Sequence, residues 1–94
     1  MKVIGLIKIL DAQAFDAYRS QVGATVERYS GKVSFRGHKQ LMPWNELGCE
    51  DFDAFVELEF LSADDAHRWA QSPEYQALLE IRSKAMRLSL FGVQ

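Results

Sequence analysis

Apolar residues recur in two rhythms along the chain. Residues 2–10 are apolar at both parities (Val3, Ile4, Ile7, Ile9), the pattern of a central strand covered on both faces. Asp11 then offers an N-cap carboxylate, and Phe15, Tyr18, Val22, Val26 and Tyr29 follow at helical spacing. Gly31 stands where a helix C-terminus takes a left-handed residue. In residues 32–39 the rhythm becomes alternation, with Val33 and Phe35 on one side and Ser34, Arg36 and His38 on the other. Residues 40–51 (QLMPWNELGCED) contain Pro43 and Gly48, keep no period, and read as the long connection of a hairpin. Alternation resumes in residues 52–61: Phe52, Ala54, Val56, Leu58 and Phe60 against Asp53, Phe55, Glu57 and Glu59. Ser62, with Asp65 three positions on, opens a short helix whose apolar side is Ala66 and Trp69. Ser72 caps another with Pro73 in its first position, where a missing N–H costs nothing. Tyr75, Leu78, Leu79, Ile81 and Ala85 form the buried stripe of that helix. Residues 86–93 alternate Met86, Leu88 and Leu90 with Arg87, Ser89 and Phe91.

The resulting order, β-α-β-β-α-β, predicts an α+β domain of ferredoxin-like type spanning residues 1–94. Its four-stranded antiparallel sheet carries helices on one face only. The strictly apolar sets (Val33, Phe35; Ala54, Val56, Leu58; Leu88, Leu90) are expected under the helices. The other face would then carry Ser34, Arg36, His38, Phe55, Glu57, Glu59, Arg87, Ser89, Phe91 and Val93, with half of the aliphatic first strand. That face is too apolar to lie open on a monomer. A second copy laid sheet against sheet would cover it and enclose a cavity between the sheets.

Several residues carry a resemblance. Tyr29-Ser30-Gly31, Arg36-Gly37, Glu57-Leu58-Glu59-Phe60 with Ser62, Ala66 and Trp69, and above all Ser72-Pro73-Glu74-Tyr75-Gln76 with Arg82 resemble the family known as domain of unknown function 1330. The resemblance covers nearly the whole chain. It implies membership of the dimeric α/β-barrel superfamily, in which ferredoxin-like sheets pair into a barrel. That superfamily also includes cofactor-free monooxygenases, muconolactone isomerases and haem-binding chlorite dismutases, so the fold leaves the activity open. Residues 40–51 depart from the family by their length and by Trp44 and Cys49.

Composition narrows the partners. A net charge of −2 with no basic block gives nothing to grip a phosphate backbone. No apolar stretch approaches the roughly 20 residues of a membrane span. Lys8 and Asp11 interrupt the apolar N-terminus, and no small-residue cleavage site follows, so no secretory signal is expected. The single Cys49 cannot form an internal disulfide, which fits a cytoplasmic protein.

The candidate site is the polar cluster on the uncovered face. Arg36 and His38, two apart on one strand, would share that face with Glu57 on the neighbouring strand. Arg36 is the expected anion contact, because its fork can meet a carboxylate with two bonds. Arg87 adds a second cation, and Phe55 and Phe91 would supply an apolar wall. Cross-strand charge pairing is the competing account of the same residues. Trp69 and Tyr75 could line an aromatic pocket but have the spacing of core residues. His67 falls on the solvent side of its helix, and Cys49 has no positioned base beside it. His38, His67 and Cys49 share no ligand spacing, so no metal or other cofactor is expected. The expectation is a homodimer that binds a small aromatic or anionic metabolite between its sheets. The alternative is a metal-free enzyme of the monooxygenase or isomerase type.

Overall fold

The computed structural model describes residues 1–94. It contains strands β1 (Lys2–Ile9), β2 (Gly31–His38), β3 (Ala54–Phe60) and β4 (Met86–Val93), with helices α1 (Ala12–Arg28), α2 (Ala63–Ala70), α3 (Pro73–Gln76) and α4 (Leu79–Ala85). The sheet is four-stranded and antiparallel in the order β2-β3-β1-β4. β1 is central, as its two apolar parities require: Val3 and Ile7 are buried under the helices, while Ile4 and Leu6 are half-buried on the opposite face. No helix is long and apolar enough to cross a membrane.

Local chemistry fixes the helix starts. Asp11 Oδ1 accepts the Ala14 N–H at 2.9 Å, Ser62 Oγ accepts that of Asp65 at 3.1 Å, and Ser72 Oγ accepts that of Tyr75 at 3.1 Å. Pro73 occupies the first turn of α3. α1 buries Phe15, Tyr18, Val22 and Val26, and α2 buries Ala66 and Trp69.

Two boundaries differ from the sequence reading. The left-handed residue after α1 is Ser30, at φ 64°, and not Gly31. Gly31 instead begins β2 beneath the Phe60 ring, where an added Cβ would lie 2.6 Å from Phe60 Cε1. The last helix is two pieces, α3 and α4, joined through Ala77 and Leu78. Its inward stripe survives the break: Tyr75, Leu78 and Ala85 are buried, with Leu79 and Ile81 half-buried. Leu78→Ala should therefore cost about 2–5 kcal/mol in urea unfolding. A loss below about 0.5 kcal/mol, the range of neutral surface changes, would place Leu78 outside the core.

The largest departure is a β-bulge. Val33 pairs with Leu58, but the next pair is Phe35 with Glu57, leaving Ser34 as an extra residue on β2. One inserted residue sends every later side chain of the strand to the opposite face. Arg36 and His38 consequently stand opposite Val56 and Ala54 on the helix side. Phe35, expected under the helices, turns to the open face and meets Phe55 edge-on, with centroids 6.0 Å apart. It remains 57% exposed.

Candidate ligand cavity and the open sheet face

The bulge divides the expected cluster between two surfaces. Glu57, Arg87, Phe55 and Phe91 lie on the open face, as their alternation requires, Phe55 also bordering the cavity that Arg36 and His38 edge, and Arg36 and His38 do not join them. Glu57 is already engaged there: its Oε2 accepts the Ser34 hydroxyl at 2.7 Å and the Lys2 ammonium at 3.1 Å. Glu59 pairs with Lys2 at 2.8 Å and with Lys32 at 3.4 Å. These partners hold both carboxyls below the usual carboxylate range, chiefly Ser34 for Glu57 and Lys2 for Glu59. Arg87 reaches out to Glu50 of the long loop at 2.7 Å. Cross-strand pairing thus accounts for Lys2, Lys32, Glu57 and Glu59, a loop carboxylate for Arg87, and Ile4, Leu6, Phe35, Phe55 and Phe91 supply the apolar ground between them.

Arg36 and His38 border a cavity of about 210 Å³ between α1 and the helix face of the sheet. Phe15, Tyr18 and Val22 form its wall on α1, Trp69 closes it from α2, and residues including Val33, Val56, Leu58 and Leu88 form its floor. Its charged liners are cations or a potential cation (Arg19, Arg36, His38), with no carboxylate among them. Arg19 lies over the Phe15 ring at 5.2 Å, with only the exposed Asp16 near it at 3.9 Å. Arg36 and His38 take part in none of the chain's ion pairs or side-chain hydrogen bonds. The space is apolar within and free of negative charge at its polar edge, the arrangement that orients a small apolar molecule bearing an acceptor or anionic group.

Sequence reasoning missed Arg19, although its place four residues after Phe15 on one helix put it beside the buried stripe. Cys49 lies in the long loop, where Asn45 holds its backbone N–H and carbonyl at 2.9 and 2.8 Å, and is not among the cavity residues. His67 is exposed on α2. No group of three or more His, Cys, Asp or Glu side chains is placed to hold a metal ion.

The residues that carried the sequence resemblance knit the helices together beside this cavity. Glu74 accepts the Tyr29 hydroxyl at 2.5 Å and pairs with Arg28 at 3.1 Å, joining α3 to the end of α1. Ser72 donates to the Trp69 carbonyl at 2.7 Å, and the Trp69 indole N–H reaches Thr25 Oγ1 at 3.0 Å. Tyr75 is buried against Trp69, its oxygen 2.8 Å from that of Tyr18 and 2.9 Å from Arg82 Nη1.

No functionally curated protein sequence matches the chain. Its fold is similar to that of a protein of unknown function from Rhodopseudomonas palustris, at 22% identity and a TM-score of 0.75 over 96% of this chain and 78% of that one. It is also similar to SnoaB, a cofactor-independent oxygenase from Streptomyces nogalater, at 11% identity and a TM-score of 0.62 over 99% and 91%. A dimeric protein of unknown function and ferredoxin-like fold from Bacteroides fragilis matches at 17% identity and a TM-score of 0.57 over 96% and 90%. At these identities the likeness is one of fold. The family model described as Domain of unknown function (DUF1330) matches residues 3–94, and the chain belongs to that family.

Proposed function

We propose that this chain is a cytoplasmic homodimer that binds a small aromatic metabolite carrying an anionic group in the cavity between α1 and the sheet. The observation that carries the reading is the pairing of an apolar cavity with Arg36, Arg19 and His38, none of them neutralised by a cavity carboxylate. The open face, with its carboxylates paired and Phe35 and Phe91 exposed, has the composition of a surface covered by a second copy. On this reading Phe55, Glu57, Arg87 and Phe91 serve the dimer, and Arg36 and His38 serve the ligand.

The test uses 1-naphthoate, an aromatic carboxylate, followed by calorimetric titration. Arg36→Met keeps the side chain's bulk and removes its charge, so it should weaken binding by about tenfold or more, or roughly 1.4 kcal/mol. Cys49→Ser should leave the affinity unchanged. A damaging Cys49→Ser with a silent Arg36→Met would move the site into the long loop and overturn the assignment.

A second reading, metal-free chemistry of the monooxygenase or isomerase type, draws its support from His38. An unpaired imidazole at the cavity edge could accept a proton from a bound phenol or from a carbon beside a carbonyl. Loss of turnover of such a substrate in His38→Gln, with binding retained, would support it, and turnover unchanged in that variant would remove it.

A further inference from the structure

Two buried phenols, one of them on the α1 wall of the cavity, carry one more hydroxyl hydrogen than the protein supplies acceptors for. Tyr18 and Tyr75 are 7% and 3% exposed, and their oxygens stand 2.8 Å apart. Arg82 donates to the Tyr75 oxygen at 2.9 Å. A phenol brings one hydrogen to donate, and a guanidinium can only donate. The contact between the two oxygens uses one phenolic hydrogen, so the other phenol is left with nothing in the chain to receive its own. The neighbouring donors do not share this fate. The Trp69 N–H goes to Thr25, the Thr25 hydroxyl to the Val22 carbonyl, and the Ser72 hydroxyl to the Trp69 carbonyl.

The surroundings decide which phenol carries the unmatched hydrogen. Tyr75 is packed among Tyr18, Trp69 and Arg82 and is not a cavity residue, whereas Tyr18 is. Arg82 also polarises the Tyr75 hydroxyl and makes it the better donor of the pair. The chain of bonds therefore runs from Arg82 to Tyr75, from Tyr75 to Tyr18, and from Tyr18 into the cavity. Burial, first among the causes, holds the Tyr18 hydroxyl protonated far above the ordinary phenol range, so it stays a donor at neutral pH.

From this hydrogen-bond count we infer that Tyr18 is the specificity-determining contact of the cavity, selecting ligands that present a neutral acceptor oxygen, such as a ketone, quinone or lactone carbonyl, to α1. A second charge deep in the apolar cavity would be costly to desolvate, so an anionic group would face Arg36 at the edge. This inference rests on the cavity reading proposed above and adds the class of group that the ligand must carry.

The probes are 1-tetralone and tetralin, which share a skeleton and differ in a carbonyl oxygen. The wild-type protein should bind the ketone about tenfold or more tightly than the hydrocarbon, a hydrogen bond's worth of preference. Tyr18→Phe should lose that preference, its affinities for the two probes becoming alike. In infrared spectra, the carbonyl stretch of bound 1-tetralone should fall in the wild type and not in Tyr18→Phe. Equal affinity of the wild type for both probes, or a preference retained in Tyr18→Phe, overturns the donor assignment while leaving the cavity reading standing. Failure of 1-tetralone, tetralin and 1-naphthoate alike to bind overturns both. Should Tyr18→Phe not fold, the wild-type infrared spectrum decides, and an unshifted carbonyl overturns the assignment.

Discussion

Trp69→Ala should cost the protein about 3–5 kcal/mol in urea unfolding, among the largest losses of any single truncation in the chain. The side chain is 2% exposed. Its rings lie 5.5 Å from Phe60 and 4.5 Å from Tyr75, centroid to centroid, and its indole N–H is bonded to Thr25. One residue thus joins α2 to β3, α3 and α1. Truncation would remove aromatic area, leave Thr25 without its donor, and extend an existing cavity into a void that the rigid sheet cannot fill. Domains of this size hold only about 5–15 kcal/mol in total, so the variant should unfold at a markedly lower urea concentration. A loss of about 1 kcal/mol or less, the typical effect of an average substitution, would show that the helix junction does not depend on this ring.

The second large effect is on assembly. Wild-type protein in sedimentation equilibrium at micromolar concentration should have twice the chain mass, and Ile4→Glu should have the mass of one chain. Ile4 lies on the open face of the central strand, between Phe91 on one side and Glu57 on the other. A carboxylate there would be desolvated by the second copy, at a cost of several kcal/mol, and would also face Glu57. Self-association should weaken on the order of a hundredfold or more. Ile4 is not one of the buried core residues, so the monomer should keep its fold, visible as an unchanged far-ultraviolet circular dichroism spectrum. A wild-type protein that sediments as a monomer, or an Ile4→Glu variant that remains a dimer, would contradict sheet-to-sheet pairing.

How far the molecule was legible in its sequence depended on how local each determinant is. Asp11, Ser62 and Ser72 act on backbone within a few residues, and all three cap where their chemistry says they should. The two apolar parities of β1 placed it at the sheet centre, because burial on both faces leaves no polar position to alternate. The bulge at Ser34 left no such trace. Residues 32–39 alternate evenly across it, and the extra residue is accommodated by a partner on another strand, where Glu57 receives the Ser34 hydroxyl. From that one insertion follow the misplacement of Phe35 and the transfer of Arg36 and His38 to the helix side. Open-face positions on unbulged strands (Phe55, Glu57, Arg87, Phe91) were read correctly as to side, since nothing upset their period. The break between α3 and α4 was equally silent, with no Gly or Pro at residues 77–78 to announce it.

The central claim is that the ligand enters between α1 and the sheet, and chemical-shift mapping of backbone amides during a 1-naphthoate titration addresses it directly. The account predicts that the shifts concentrate at Tyr18, Val22, Arg36, His38 and Leu88, around the cavity, and that Arg36→Met shrinks them at equal ligand concentration. Shifts confined to Ile4, Glu57 and Phe91 on the open face, or to residues 40–51 of the long loop, would contradict it.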